Sequence, residues 1–114
     1  MLKIKQFTFN DFQENCYLVY EGVSKECIIF DPGCNGTAEK NTLNAFIEDN
    51  KLKPIMLINT HCHIDHVLGN KMVSDTYNLP LQAHKGEVPV LESCTMVANM
   101  YGIPYISSPD ISIF

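Results

Sequence analysis

The sequence contains no tryptophan and no arginine, and its eight basic residues, all lysines, face thirteen acidic ones for a net charge of −5. Phosphate recognition favours the forked guanidinium of arginine, and nucleic-acid surfaces are basic, so no nucleic-acid partner is expected. No apolar run approaches the ~20 residues a membrane helix needs, which argues against a membrane partner. The opening stretch Met1–Asn10 alternates polar and apolar residues and lacks the apolar core of a secretory signal. The five cysteines, Cys16, Cys27, Cys34, Cys62 and Cys94, are odd in number, irregularly spaced and free of any Cys-x-x-Cys pair. Free thiols in a reducing cytoplasm are the expectation. Internal repeats, low-complexity stretches and linkers are also missing.

What is present has globular composition, with 46% apolar and 18% charged residues in a chain of 114. That length fits one domain and excludes two. The first half alternates β-like runs with turns. Leu2–Phe9 reads as a strand with Leu2 and Ile4 on one face and Lys3, Lys5 and Phe7 on the other. Cys16–Tyr20 and Cys27–Phe30 are richer in β-branched and aromatic residues, with Glu21-Gly22-Val23-Ser24 as a hairpin connection. Asp31-Pro32-Gly33 stops the third strand, since Pro32 cannot donate to a ladder and Gly33 permits a sharp turn.

A helix is expected over Ala38–Asn50, with Thr37 as its N-cap and Leu43, Phe46 and Ile47 as its core stripe. Ile55–Asn59 is a continuous apolar run of the kind found in strands covered on both faces, opened by Pro54. A second helix over His66–Tyr77, a short strand over Leu79–Ala83 and a third helix over Glu87–Met100, closed by Gly102, complete the order βββαβαβα. The class is α/β. A last alternating run, Ile111–Phe114, reads as the start of another strand.

Chemistry concentrates at the end of the apolar strand, in Asn59-Thr60-His61-Cys62-His63-Ile64-Asp65-His66, which holds three of the four histidines. A polar loop with capping residues would explain one histidine but not three beside a carboxylate. Imidazole and carboxylate together suit Zn²⁺, Fe²⁺ or Mn²⁺. In an extended segment His61 and His63 project to the same side, whereas Asp65 and His66 sit where the chain turns into the helix. The pattern can supply two ligands to each of two neighbouring ions, which at ~3.5–4 Å separation clamp a reacting carbonyl or phosphoryl group. Cys62 falls on the opposite side of the alternation and reads as a small filler. His84 reads as a capping residue, and Asp110 has no motif around it.

His61-x-His63-x-Asp65-His66 after an apolar strand, with Asp31-Pro32-Gly33 after the third strand, resembles the metallo-β-lactamase superfamily. Gln13-Glu-Asn15-Cys16-Tyr-Leu-Val looks most like its glyoxalase II-like (hydroxyacylglutathione hydrolase-like) branch. The resemblance spans essentially the whole chain but only the amino-terminal half of a family member. It implies the amino-terminal half of an αββα sandwich, two divalent metal ions (zinc foremost, iron or manganese as alternatives), and a small-molecule thioester or ester substrate. His61 and His63 would hold the first ion, and Asp65 and His66 the second, with Asp65 also orienting the nucleophile. Asp31 would orient the His loop from behind, or serve only as a turn aspartate. The family's remaining ligands, a His in a Gly-His-Thr-type loop, a bridging Asp and a last His, have no counterpart motif in residues 67–114. The expectation is therefore that residues 1–114 form a partial domain, inert alone, whose uncovered sheet face can self-associate. The competing readings are a mononuclear iron enzyme oxidising persulfides and a non-catalytic metal-binding fragment.

Overall fold

Alternation in the first thirty residues builds an antiparallel meander of β1 (Leu2–Phe9), β2 (Glu14–Glu21) and β3 (Glu26–Phe30) in the computed structural model, which describes residues 1–113. Phe114, the end of the expected last strand, lies outside the described residues. Phe7 pairs with Cys16 and Leu18 with Ile29, so Phe7, Phe9, Cys16, Leu18, Cys27 and Ile29 share one buried face. β1 has the expected bounds, whereas β2 and β3 run further than the sequence indicates. β2 in particular begins at Glu14, which is buried on that same face.

From β3 the chain crosses over through α1 (Gly36–Asp49) to β4 (Lys53–Ile58), parallel to β3. Helix α1 lays Leu43 and Ile47 on the sheet, and Phe46 meets Phe7 edge-on at 5.7 Å. Its cap is not Thr37 but Asn35, because Gly36 at φ 78° turns the chain into the helix earlier. The Glu39 carboxylate accepts the Asn35 amide at 2.7 Å in place of a side-chain cap. Pro54 lies inside β4, at an irregularity where Cys27 pairs with Pro54 and Ile28 with Met56. A residue without an amide donor is tolerated at such a bulge.

Two further strands complete a six-stranded sheet in sequential order, β5 (Leu81–Ala83) and β6 (Ile111–Ile113), both parallel to their neighbours. The expected helix over His66–Tyr77 is two helices, α2 (Ile64–Val67) and α3 (Asn70–Tyr77). They part at Gly69, whose amide donates to the Pro32 carbonyl at 2.7 Å. A Cβ at Gly69 would collide with Cys34 Sγ and approach that carbonyl to 2.6 Å, so tight packing rather than backbone freedom fixes the glycine. The expected helix over Glu87–Met100 is likewise a 3₁₀ turn (Lys85–Glu87), α4 (Val88–Glu92) and α5 (Cys94–Tyr101). Pro89 fits the first turn of α4, where its missing amide costs nothing, and Gly102 ends α5 in the left-handed conformation, as expected. No helix is long and apolar enough to cross a membrane among the described residues.

The buried core lies between one face of the sheet and helices α1 and α3, with a smaller cluster under α2, α4 and α5. The opposite face stays open. Leu2, Ile4 and Tyr17 are exposed there, and Val19, Ile28, Phe30, Met56 and Ile58 are only partly covered. Apolar β4 is therefore covered on one face here, not on both, with Leu57 alone fully buried.

Candidate metal centre

The segment from Asn59 to His66 leaves the carboxyl end of β4, and each part of it is held from a different direction. Asp31 accepts the Thr60 amide at 2.8 Å through Oδ1 and the Thr60 hydroxyl through Oδ2. Glu87 Oε1 accepts the Cys62 amide at 2.8 Å, and Cys94 Sγ donates to the Cys62 carbonyl at 3.1 Å. In the β1–β2 turn, the Asn10 side chain donates to the carbonyls of Gly33 at 2.9 Å and Asp65 at 2.8 Å. Gly33 packs so closely that a Cβ would collide with the Asp65 carbonyl and the Glu14 carboxylate. The loop is thus rigidly tied although it is irregular.

That scaffold brings together all four residues expected to ligate. The His61 ring lies 5.9 Å from that of His63 and 5.6 Å from that of His66, and His66 Nε2 is 3.5 Å from Asp65 Oδ2. His61 and His63 are exposed, Cys62 between them is fully buried, and its thiol points to Asn59 Oδ1 at 3.7 Å. The alternation read from the sequence holds. Three imidazoles and a carboxylate converging at these distances are a donor set that fits a divalent transition metal.

Behind His66 lies a group that the sequence reading missed. His66 Nδ1 is 3.3 Å from Asp31 Oδ2 and 3.7 Å from Glu14 Oε1, without the alignment of a hydrogen bond. Asp31 is brought to this position by a left-handed backbone at φ 53°. The Asp31 carboxylate holds the His66 pKa above its ordinary 6.5 against the opposing effect of burial. Neither Glu14 oxygen has a hydrogen-bond partner, and burial, reinforced by Asp31 and Asp65, pushes its pKa up to about 9. Donor atoms of Glu14, Asp31 and His66 all fall within 4.8 Å of one another. The signal was in the pattern: Glu14, Cys16 and Leu18 alternate onto the core face, and a carboxylate there needs a reason.

Beside the imidazoles a cleft of about 310 Å³ opens between the β1–β2 turn and α5, with His63 and Asp65 at its edge. Phe12 and Tyr101 stack edge-on at 5.6 Å along its wall, and Val90 and Val97 line its base. His84 takes no part in the loop; its Nδ1 accepts the Gly86 amide at 3.0 Å and caps the 3₁₀ turn. Asp110 is likewise an exposed residue, away from the imidazoles in the lining of a separate depression with Ser107 and Pro109.

The chain is similar to known proteins in both sequence and structure. A probable metallo-hydrolase of Methanocaldococcus jannaschii is 35% identical over 94 residues, covering 80% of this chain and 43% of its own. The hydroxyacylglutathione hydrolase GloC of Haemophilus influenzae is 31% identical over 102 residues, covering 87% of this chain and 46% of its own. Among solved structures, the BLEG-1 B3 metallo-beta-lactamase superposes with a TM-score of 0.79 at 27% identity, over 96% of this chain and 53% of that one. A second protein, crystallised in a di-iron-bound form, gives a TM-score of 0.81 at 24% identity, over 96% of this chain and 53% of that one, which speaks to the fold alone. The chain spans less than half the length of the two curated relatives. With the family model matching residues 9–110, the chain belongs to the metallo-beta-lactamase superfamily.

Proposed function

We propose that residues 1–114 are the amino-terminal part of a metal-dependent hydrolase of thioesters or related esters, resembling glyoxalase II. The observation that carries this reading is the convergence of His61, His63, Asp65 and His66 on a loop clamped by Asp31, Asn10 and Glu87. His61 and His63 hold one ion, and Asp65 and His66 a second, with zinc the first choice and iron or manganese the alternatives. Bound there, a divalent metal supplies Lewis acidity that acidifies water and polarises a carbonyl. The chain's own residues do the rest. Asp65, beside His66 and at the edge of the cleft, orients the attacking water and accepts its hydrogen bond. Phe12, Val90 and Val97 offer an apolar wall to the acyl or thiol portion of the substrate and exclude water beside the reacting carbon. A thiolate leaves more readily than an alkoxide, which favours thioesters. The hydroxyacylglutathione hydrolase relative supports the same substrate class, and the free-thiol chemistry of the five cysteines supports a cytoplasmic setting.

The test compares His63→Ala with the unaltered chain for zinc retained after dialysis, and repeats the comparison for thioester hydrolysis in a polypeptide extended to the relatives' length. Loss of zinc and of turnover together is the expected result. Zinc and hydrolysis both unchanged in His63→Ala would overturn the assignment. Iron content with oxygen consumption on a persulfide would instead identify an oxygenase.

The 114-residue chain alone is inert in this reading and covers its open apolar face with a second copy of itself. The exposure of Leu2, Ile4 and Tyr17 on that face supports this reading. Light scattering showing a monodisperse monomer with thioesterase activity would refute both statements.

A further inference from the structure

His66 has a part in the metal centre, but Glu14 as yet has none. Its side chain is completely buried, and both oxygens lack partners. A carboxyl in that state destabilises the fold unless it serves something nearby. Resting on the metal-centre reading above, we propose that Glu14 is a positioning residue that seals the rear of the His66 imidazole. Asp31 is then the one acceptor within reach of Nδ1, and Nε2 is left facing Asp65 and the other imidazoles.

Three features carry this. The two ring nitrogens see different surroundings: Nδ1 faces Asp31 at 3.3 Å and Glu14 at 3.7 Å, whereas Nε2 faces Asp65 at 3.5 Å. The space behind the ring is full, because the Glu14 carboxylate is packed against Gly33 so tightly that no Cβ fits there. Asp31 is itself fixed by the Thr60 amide and hydroxyl, so it cannot follow a ring that swings away. A metal-ligating histidine is held in one tautomer by whatever its other nitrogen meets. Removing the Glu14 carboxyl opens room for water at Nδ1, and water can donate as well as accept.

The measurement is the His66 tautomer, read from ¹⁵N shifts of the histidine-labelled, metal-free chain, together with zinc affinity by chelator competition. In the unaltered chain and in Glu14→Gln, which keeps the shape, one tautomer with the proton on Nδ1 is expected. Glu14→Ala should show a mixture and bind zinc about 10–100-fold more weakly. If Glu14→Ala does not fold, Glu14→Thr is read in its place, since it is equally short and suits a strand. A single tautomer and unchanged zinc affinity in the shortened variant overturns the proposal. Zinc loss in Glu14→Gln with the tautomer intact also overturns it, because Glu14 would then be a direct ligand in a site with Asp31 and Nδ1. Failure of the unaltered chain to bind zinc counts against the metal centre, while the tautomer comparison still decides the role of Glu14.

Discussion

Asn59 and Asn70 face each other through both side-chain amides, each donating to the other's carbonyl oxygen at 3.2 and 2.7 Å. Both are fully buried, and the pair joins the end of β4 to the first residue of α3, spanning the Thr60–Gly69 segment like a staple. Asn70 also donates to Ser108 at 3.2 Å, tying in the segment before β6.

Because the two amides satisfy each other, removing one leaves the other buried and unpaired. Asn70→Leu should lower stability by about 1–3 kcal/mol in urea unfolding. Adding Asn59→Leu to it should cost less than the sum of the two single changes, since the orphan disappears. Strict additivity would show that the amides do not act as a pair.

Asp31 does two things at once, holding Thr60 and facing His66. Asn tolerates the left-handed backbone seen at this position, so Asp31→Asn changes the charge without straining the chain. The expected outcome is zinc affinity lower by about 10–100-fold with the fold retained, measured by chelator competition and circular dichroism. Unchanged affinity would leave Asp31 as a turn residue only.

At Gly69 the Cys34 sulfur and the Pro32 carbonyl leave no room for even one methyl group. Gly69→Ala should destabilise the chain by about 1–3 kcal/mol through forced displacement of the Pro32–Cys34 segment. The change is read from the thermal midpoint. A neutral effect would show that the Asp31-Pro32-Gly33 turn can shift away freely.

Burial raises the Cys27 thiol from 9.0 to about 11 and that of Cys34 to about 12. The folded chain therefore holds these protons more tightly than the unfolded chain does. Their contribution to stability is fully present below about pH 9 and is lost as pH rises through 11 and 12. Urea midpoints should fall on the alkaline side above pH 9, and less steeply in Cys27→Ala. A midpoint independent of pH between 9 and 11 would contradict the burial of both thiols.

The meander, α1 and the ligand loop were legible because each rests on local pattern: alternation in β1–β3, a 3.6-residue stripe at Leu43, Phe46 and Ile47, and tight spacing of His61, His63 and His66. The interruption at Gly69 was not, because it depends on Pro32 and Cys34, more than thirty residues away in sequence. One face of β4 was misjudged for a related reason: an apolar run records what a strand can bury, not what lies over it. Glu14 escaped because a lone acidic residue at a strand's start looks like surface until its alternation partners are seen to be core. Asn10 and Glu87 are equally silent as letters, since their work is done on backbone groups of distant segments.

The two carboxylates behind His66, those of Glu14 and Asp31, both precede it in the chain. The rear wall of this imidazole is therefore built from the first residue of β2 and the turn after β3, on two strands that pair with each other. A one-residue slip in the pairing of β2 would carry Glu14 to the open face of the sheet, so the support of His66 is only as secure as the register of the strands that precede it.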